Sequence, residues 1–87
     1  MIVSNMTSPR GNTVANQFII EDVGVTYFQS YNTMIAKLER GKLTLDRNAW
    51  DYSVTTAKYR NIFTGFNTKE TVKMIDAGGI TLADLNA

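Results

Sequence analysis

The sequence predicts a single α+β domain: a small antiparallel sheet of three or four strands from the N-terminal half, packed with two C-terminal helices. Three observations carry this. The first half holds short runs of β-branched and aromatic residues separated by turn residues. Residues 53–66 carry a helix start, a helical apolar spacing and a glycine stop. Asn67 with Glu70 three residues on then opens a second helix in a capping-box arrangement, with Thr68 as an alternative cap.

In chain order, Ile2-Val3 reads as a short strand at most. Residues 4–13, Ser-Asn-Met-Thr-Ser-Pro-Arg-Gly-Asn-Thr, have the composition of a loop or mobile arm, with Arg10 alone in it. Val14 to Glu21 contains Phe18-Ile19-Ile20, a strand-length run, and Asp22-Val23-Gly24 is a turn. Val25 to Tyr31 alternates as a strand does, so a β-hairpin is the economical reading. Residues 32–40 admit two readings: a short helix capped by Asn32 and closed by Gly41, or a strand. The strand, turning at Arg40-Gly41-Lys42 into Leu43-Thr44-Leu45, is preferred, because Met34, Ile35 and Leu38 supply little apolar face for an isolated helix.

The organising stretch is Trp50 to Phe66, which holds the only Trp, two of the four Tyr and two of the four Phe. Asp51, Ser53 and Thr55 compete for the helix cap. Tyr59, Ile62, Phe63 and Phe66 fall at i, i+3, i+4 and i+7, an aromatic inner face, and Gly65 is a natural stop. Lys58 and Arg60 lie about 200° apart on a helical wheel and so do not share one narrow face; a solvated outer face beside the aromatic inner one is preferred to a basic helix for phosphate or an acidic protein surface. In the second helix Val72 and Ile75, with Met74, give the apolar side and Gly78-Gly79 end it. Ile80 to Leu82 is a last short strand or an extended tail, which fades out over 83–87. The expected core is Phe18, Ile20, Phe28, Ile35, Leu43, Leu45, Trp50, Ile62, Phe63, Val72 and Ile75.

Composition narrows the chemistry. Eighty-seven residues suffice for one small core, burying about 60–65% of the unfolded chain's surface. There is no Cys and no His, which removes disulfides, thiolates, the usual general base and the usual zinc ligand. Asp46 and Asp51 read as turn and capping residues, not as a carboxylate pair. No enzymatic activity, metal or cofactor is expected. No segment has the apolar length of a membrane span, and Met1 to Met6 lack the pattern of a signal peptide, so no membrane association is expected.

The net charge of +1 favours no particular partner, but the distribution is uneven. Between residues 37 and 60, six basic residues (Lys37, Arg40, Lys42, Arg47, Lys58, Arg60) face three acidic ones (Glu39, Asp46, Asp51). With Tyr52 beside them, Lys37, Arg40, Lys42, Lys58 and Arg60 are the candidates for binding a partner protein or nucleic acid.

Asn16-Gln17-Phe18, Tyr27 to Asn32, Trp50-Asp51-Tyr52-Ser53 with Thr55-Thr56 and Lys58-Tyr59-Arg60, and Leu82-Ala83-Asp84-Leu85-Asn86 together resemble a family of short bacteriophage-encoded proteins of uncharacterised function. The likeness covers most of the chain from Asn5 onward. It implies a phage or prophage origin, a location in the host cytoplasm, and a non-enzymatic accessory role. That role would be to bind and modulate a host protein or a defence or nucleic-acid-processing complex, as anti-CRISPR proteins do. The alternative is a small nucleic-acid-binding protein.

Overall fold

A computed structural model describes all residues from Met1 to Ala87. The order of elements is β1 (Ile2–Thr7), β2 (Thr13–Asp22), β3 (Val25–Ser30), β4 (Thr33–Glu39), β5 (Lys42–Asp46), α1 (Val54–Thr64), α2 (Thr68–Asp76) and β6 (Thr81–Ala83). The six strands form one sheet in sequence order. The first five make an antiparallel meander, and β6 adds to β5 in parallel. A parallel neighbour cannot be reached by a tight turn. The two helices are the crossover that carries the chain from β5 to β6.

The α+β class and the two C-terminal helices stand as expected, and the sheet is larger than the three or four strands expected. Within residues 32–40, Thr33–Glu39 form a strand, not a helix. The loop or mobile arm expected over 4–13 is corrected. Ser4 to Thr7 continue β1, which pairs in register with β2 from Ile2↔Glu21 to Asn5↔Phe18, and only Ser8 to Asn12 form the turn. Composition misled here because Ser, Asn and Thr are read as turn formers when no partner strand is visible. The C-terminus is corrected too. Instead of fading out, Asn86 caps the start of β4 through both the N–H (2.7 Å) and the C=O (2.9 Å) of Met34.

Register assigns the two faces of the sheet. One carries Ile19, Phe28, Ala36, Leu45 and Leu82, opposite one another across the strands. At the β3–β4 register shift beside Phe28, Ile35 and Ala36 are both fully buried, as a bulge that sets two residues against one allows. Both helices cover this face. Phe63 of α1 stacks on Phe28 with ring centroids 5.9 Å apart, and Met74 and Ile75 of α2 join the same cluster.

Both helix starts match their sequence signals. Ser53 Oγ accepts from Thr56 N (3.0 Å), and Gly65, at φ 80°, closes α1 with its N–H on Asn61 O (2.9 Å). Asn67 and Glu70 form a reciprocal capping box at 2.8 and 3.0 Å.

The helical face is where expectation and structure part. The stripe of α1 turned inward is Thr56, Tyr59, Arg60 and Phe63, while Ile62 is 45% exposed. Val72 is exposed as well. Phe18 and Ile20 are half-buried on the uncovered side of the sheet, and Ile19 packs inward in their place. Met6, Ala36, Ala49, Tyr59 and Ile80 complete the core. Met6 lies at the β1–β2 register shift, beside buried Gln17.

Candidate functional site

The second face of the sheet has no covering layer. Register lays three rows across it. The central row runs Val3–Ile20–Tyr27–Lys37–Thr44–Thr81. On one side lie Asn5–Phe18–Gln29–Met34, and on the other Asp22–Val25–Glu39–Lys42. Phe18, Ile20, Val25, Tyr27 and Met34 are half-buried among one another. The charged residues sit toward the rows' ends and the β4–β5 hairpin. The result is an apolar centre with a polar margin, the anatomy of a surface that receives a macromolecule.

Three of the six candidate residues come together at that hairpin. Lys37, Arg40 and Lys42, with Glu39 and Thr44, line an open polar cleft of about 370 Å³. Its charge is partly spent internally, since Lys37 Nζ lies 3.7 Å from Glu39 Oε1 and Glu39 is opposite Lys42. Arg40 and Gly41 turn the hairpin with φ of 54° and 74°. Positive φ at both central residues is the geometry for which Asn-Gly is preferred. Arginine there bears a left-handed cost of about 1–2 kcal/mol. Arg40→Asn is expected to raise stability by about 0.5–1 kcal/mol, read as a higher urea midpoint.

Tyr52 and Lys58 belong to the helical layer and the loop leading to it. Both are exposed, and the Lys58 ammonium lies 5.5 Å from the Tyr59 ring centroid. Arg60 is the correction. Expected on a solvated face and available to a phosphate, it is 0% exposed. Nη1 donates to Trp50 O at 2.6 Å and to Asp51 Oδ1 at 3.2 Å. Nη2 donates to Asn61 Oδ1 at 3.0 Å and to Thr68 Oγ1 at 2.8 Å. The guanidinium also lies over the Trp50 ring, 5.0 Å from its centroid. Its two terminal nitrogens join the 47–53 loop to both helices, while Nε is buried without a partner, so Arg60 is a structural clamp. Helical spacing alone hid this, because an arginine on an inner face is read as misplaced until its acceptors are seen.

Asp46 is the second buried ion, 2% exposed at the end of β5. Its Oδ2 accepts from Asn48 N (3.1 Å) and Ala49 N (2.9 Å), and Oδ1 from Leu85 N (2.9 Å). Burial pushes its pKa up, but hydrogen bonds from Leu85, Asn86, Asn48 and Ala49 outweigh burial and hold it below the ordinary value. This is the turn role expected from sequence. No group of three or more carboxylates is gathered to hold a metal ion, and no helix is long and apolar enough to cross a membrane.

On the helix side, Leu38, Leu43, Phe63, Phe66 and Met74 line a smaller apolar cleft of about 230 Å³. It carries no charged group.

Fold and surface together define a small α+β protein with one open sheet face and two structural ions buried at the ends of its core. The chain belongs to a family of unknown function (DUF8033), which spans residues 1–79. No curated protein and no solved structure matches it.

Proposed function

We propose that this chain is a non-enzymatic binding protein that docks a partner protein on its open sheet face. The observation that carries the reading is the uncovered face itself, with Phe18, Ile20, Val25 and Tyr27 at its centre and mixed charge at its margin. Its charged residues balance, Lys37 and Lys42 against Asp22 and Glu39. That balance suits a protein surface better than a polyanion. The resemblance to short phage proteins adds the finer proposal: a phage accessory protein in the host cytoplasm that modulates a host protein or complex, in takeover or in blocking a defence.

The test is an affinity pull-down from bacterial lysate, with and without nuclease, using the wild-type chain and Tyr27→Ala. A partner that survives nuclease and is retained by wild type should bind the variant about 2 kcal/mol more weakly, roughly thirtyfold. Equal retention by both would remove the open face from the reading.

Nucleic-acid binding is the second reading, favoured by Lys37, Arg40 and Lys42 meeting at one hairpin beside Tyr27. Contacts to phosphate weaken as salt rises. Binding to single-stranded DNA or RNA that does not weaken with salt, or that survives charge removal at the hairpin, would dispose of it.

A further inference from the structure

The sheet has two edges, and they differ. β6 is three residues long, whereas β1 runs for six. Edge strands expose a row of unpaired backbone donors and acceptors, and natural proteins guard them with charge, proline, shortness or a covering element. β1, Ile2-Val3-Ser4-Asn5-Met6-Thr7, contains no charged residue and no proline. Its register with β2 is regular from Ile2 to Asn5 and breaks only beside Met6. Ile2 is 66% and Val3 55% exposed. The edge is therefore long, neutral, apolar at its start and unguarded.

We infer that this edge pairs with β1 of a second copy of the chain, antiparallel across a twofold axis, extending the sheet from one subunit into the next. The sequence of β1 favours its own copy as occupant. Twofold pairing brings a short strand against itself, so a charge near the axis would meet its like. β1 carries none. The two copies must also keep their faces aligned, because side chains directly opposite in an antiparallel pair lie on the same face. Among the registers this allows, one centred on Ser4 sets Ser4 against Ser4, Val3 against Asn5 and Ile2 against Met6. It sets exposed Ile2 of each copy across from the core-buried Met6 of the other and shields the exposed Val3 side chains between the strands. It also joins the two open faces on one side of a continuous sheet. The inference stands on the edge alone and does not depend on which partner the open face receives.

The chain has no cysteine, so a single introduced thiol reports position cleanly. Light scattering on the wild type, from micromolar to near-millimolar concentration, should show a concentration-dependent dimer. Ser4→Cys should oxidise to a covalent dimer, and Thr81→Cys on the opposite edge should not. Val3→Lys, at an exposed site, should raise the monomer–dimer midpoint at least about tenfold, or 1.4 kcal/mol, with an unchanged circular dichroism spectrum. A monomer at every concentration would overturn the inference. So would a dimer that Val3→Lys leaves intact, or one in which the Ser4→Cys thiol stays unlinked.

Discussion

Arg60→Ala is expected to destabilise the domain by about 3–4 kcal/mol, on the scale of truncating a large core side chain. Small domains are stable by only about 5–15 kcal/mol, so the variant should sit near the edge of folding. The loss is not chiefly that of an ion pair. Asp51, the one charged partner, is about half exposed and can return to water, and an exposed pair contributes only about 0–1 kcal/mol. What remains after truncation are the Trp50 carbonyl, the Asn61 amide oxygen and the Thr68 hydroxyl, turned toward the space the guanidinium filled. Trp50 also loses the cation over its ring.

This division of energy is measurable. Asp51→Ala should cost under about 1 kcal/mol. Arg60→Lys should cost about 2 kcal/mol, because one ammonium cannot reproduce a planar fork that reaches acceptors on two sides. Urea denaturation of the three variants gives the ordering. An Asp51→Ala cost equal to that of Arg60→Ala would show that the ion pair, and not the neutral acceptors, carries the clamp.

Asp46→Ala should cost about 3 kcal/mol at neutral pH, since it strands three backbone N–H groups that the carboxylate now receives. Asp46→Asn should cost nearly as much, because its amide presents donors where donors already point. The pH dependence has a definite sign. The folded pKa of Asp46 lies below its unfolded value, so its contribution is complete above the unfolded value of about 3.9. It is lost as pH falls through the depressed folded value. Urea midpoints taken from neutral pH downward should therefore draw closer for wild type and Asp46→Asn below about pH 4, with the gap widest at neutral pH. A gap that stays constant into acid would mean that the carboxylate's charge is not what matters. Faster hydrogen exchange at Leu85 and Ala49 in the variant would locate the damage at the joint between β5, its turn and the C-terminal segment.

These two residues show how unevenly the molecule can be read from its sequence. Local rules were enough where the deciding partner is close in the chain. Ser53 and Gly65 bound α1, and Asn67 with Glu70 opens α2, because caps involve atoms within a few residues of one another. The alternation of Leu43 and Leu45 gave β5 for the same reason. The choice of strand over helix for 32–40 followed from a sparse apolar face.

Tertiary structure decided everything that depends on a distant neighbour. β1 is a strand because residues 18–21 pair with it, and its own polar composition hides that. Ile19, not Phe18 or Ile20, faces the core because register with Phe28 fixes the pleat. Asn86 is anchored because the Met34 backbone meets it from far along the chain. The candidate site divides on the same principle. Lys37, Arg40 and Lys42 converge because a tight hairpin brings them together, a local event that the glycine at 41 announces. Arg60 leaves the surface because the loop carrying Trp50 and Asp51 folds back to supply it with acceptors. The composition of the chain established a small α+β domain without histidine or thiol chemistry. Which of its cations remain exposed was settled only by long-range packing, where the buried Arg60 charge is held by acceptors on both terminal nitrogens although its Nε stays unpaired.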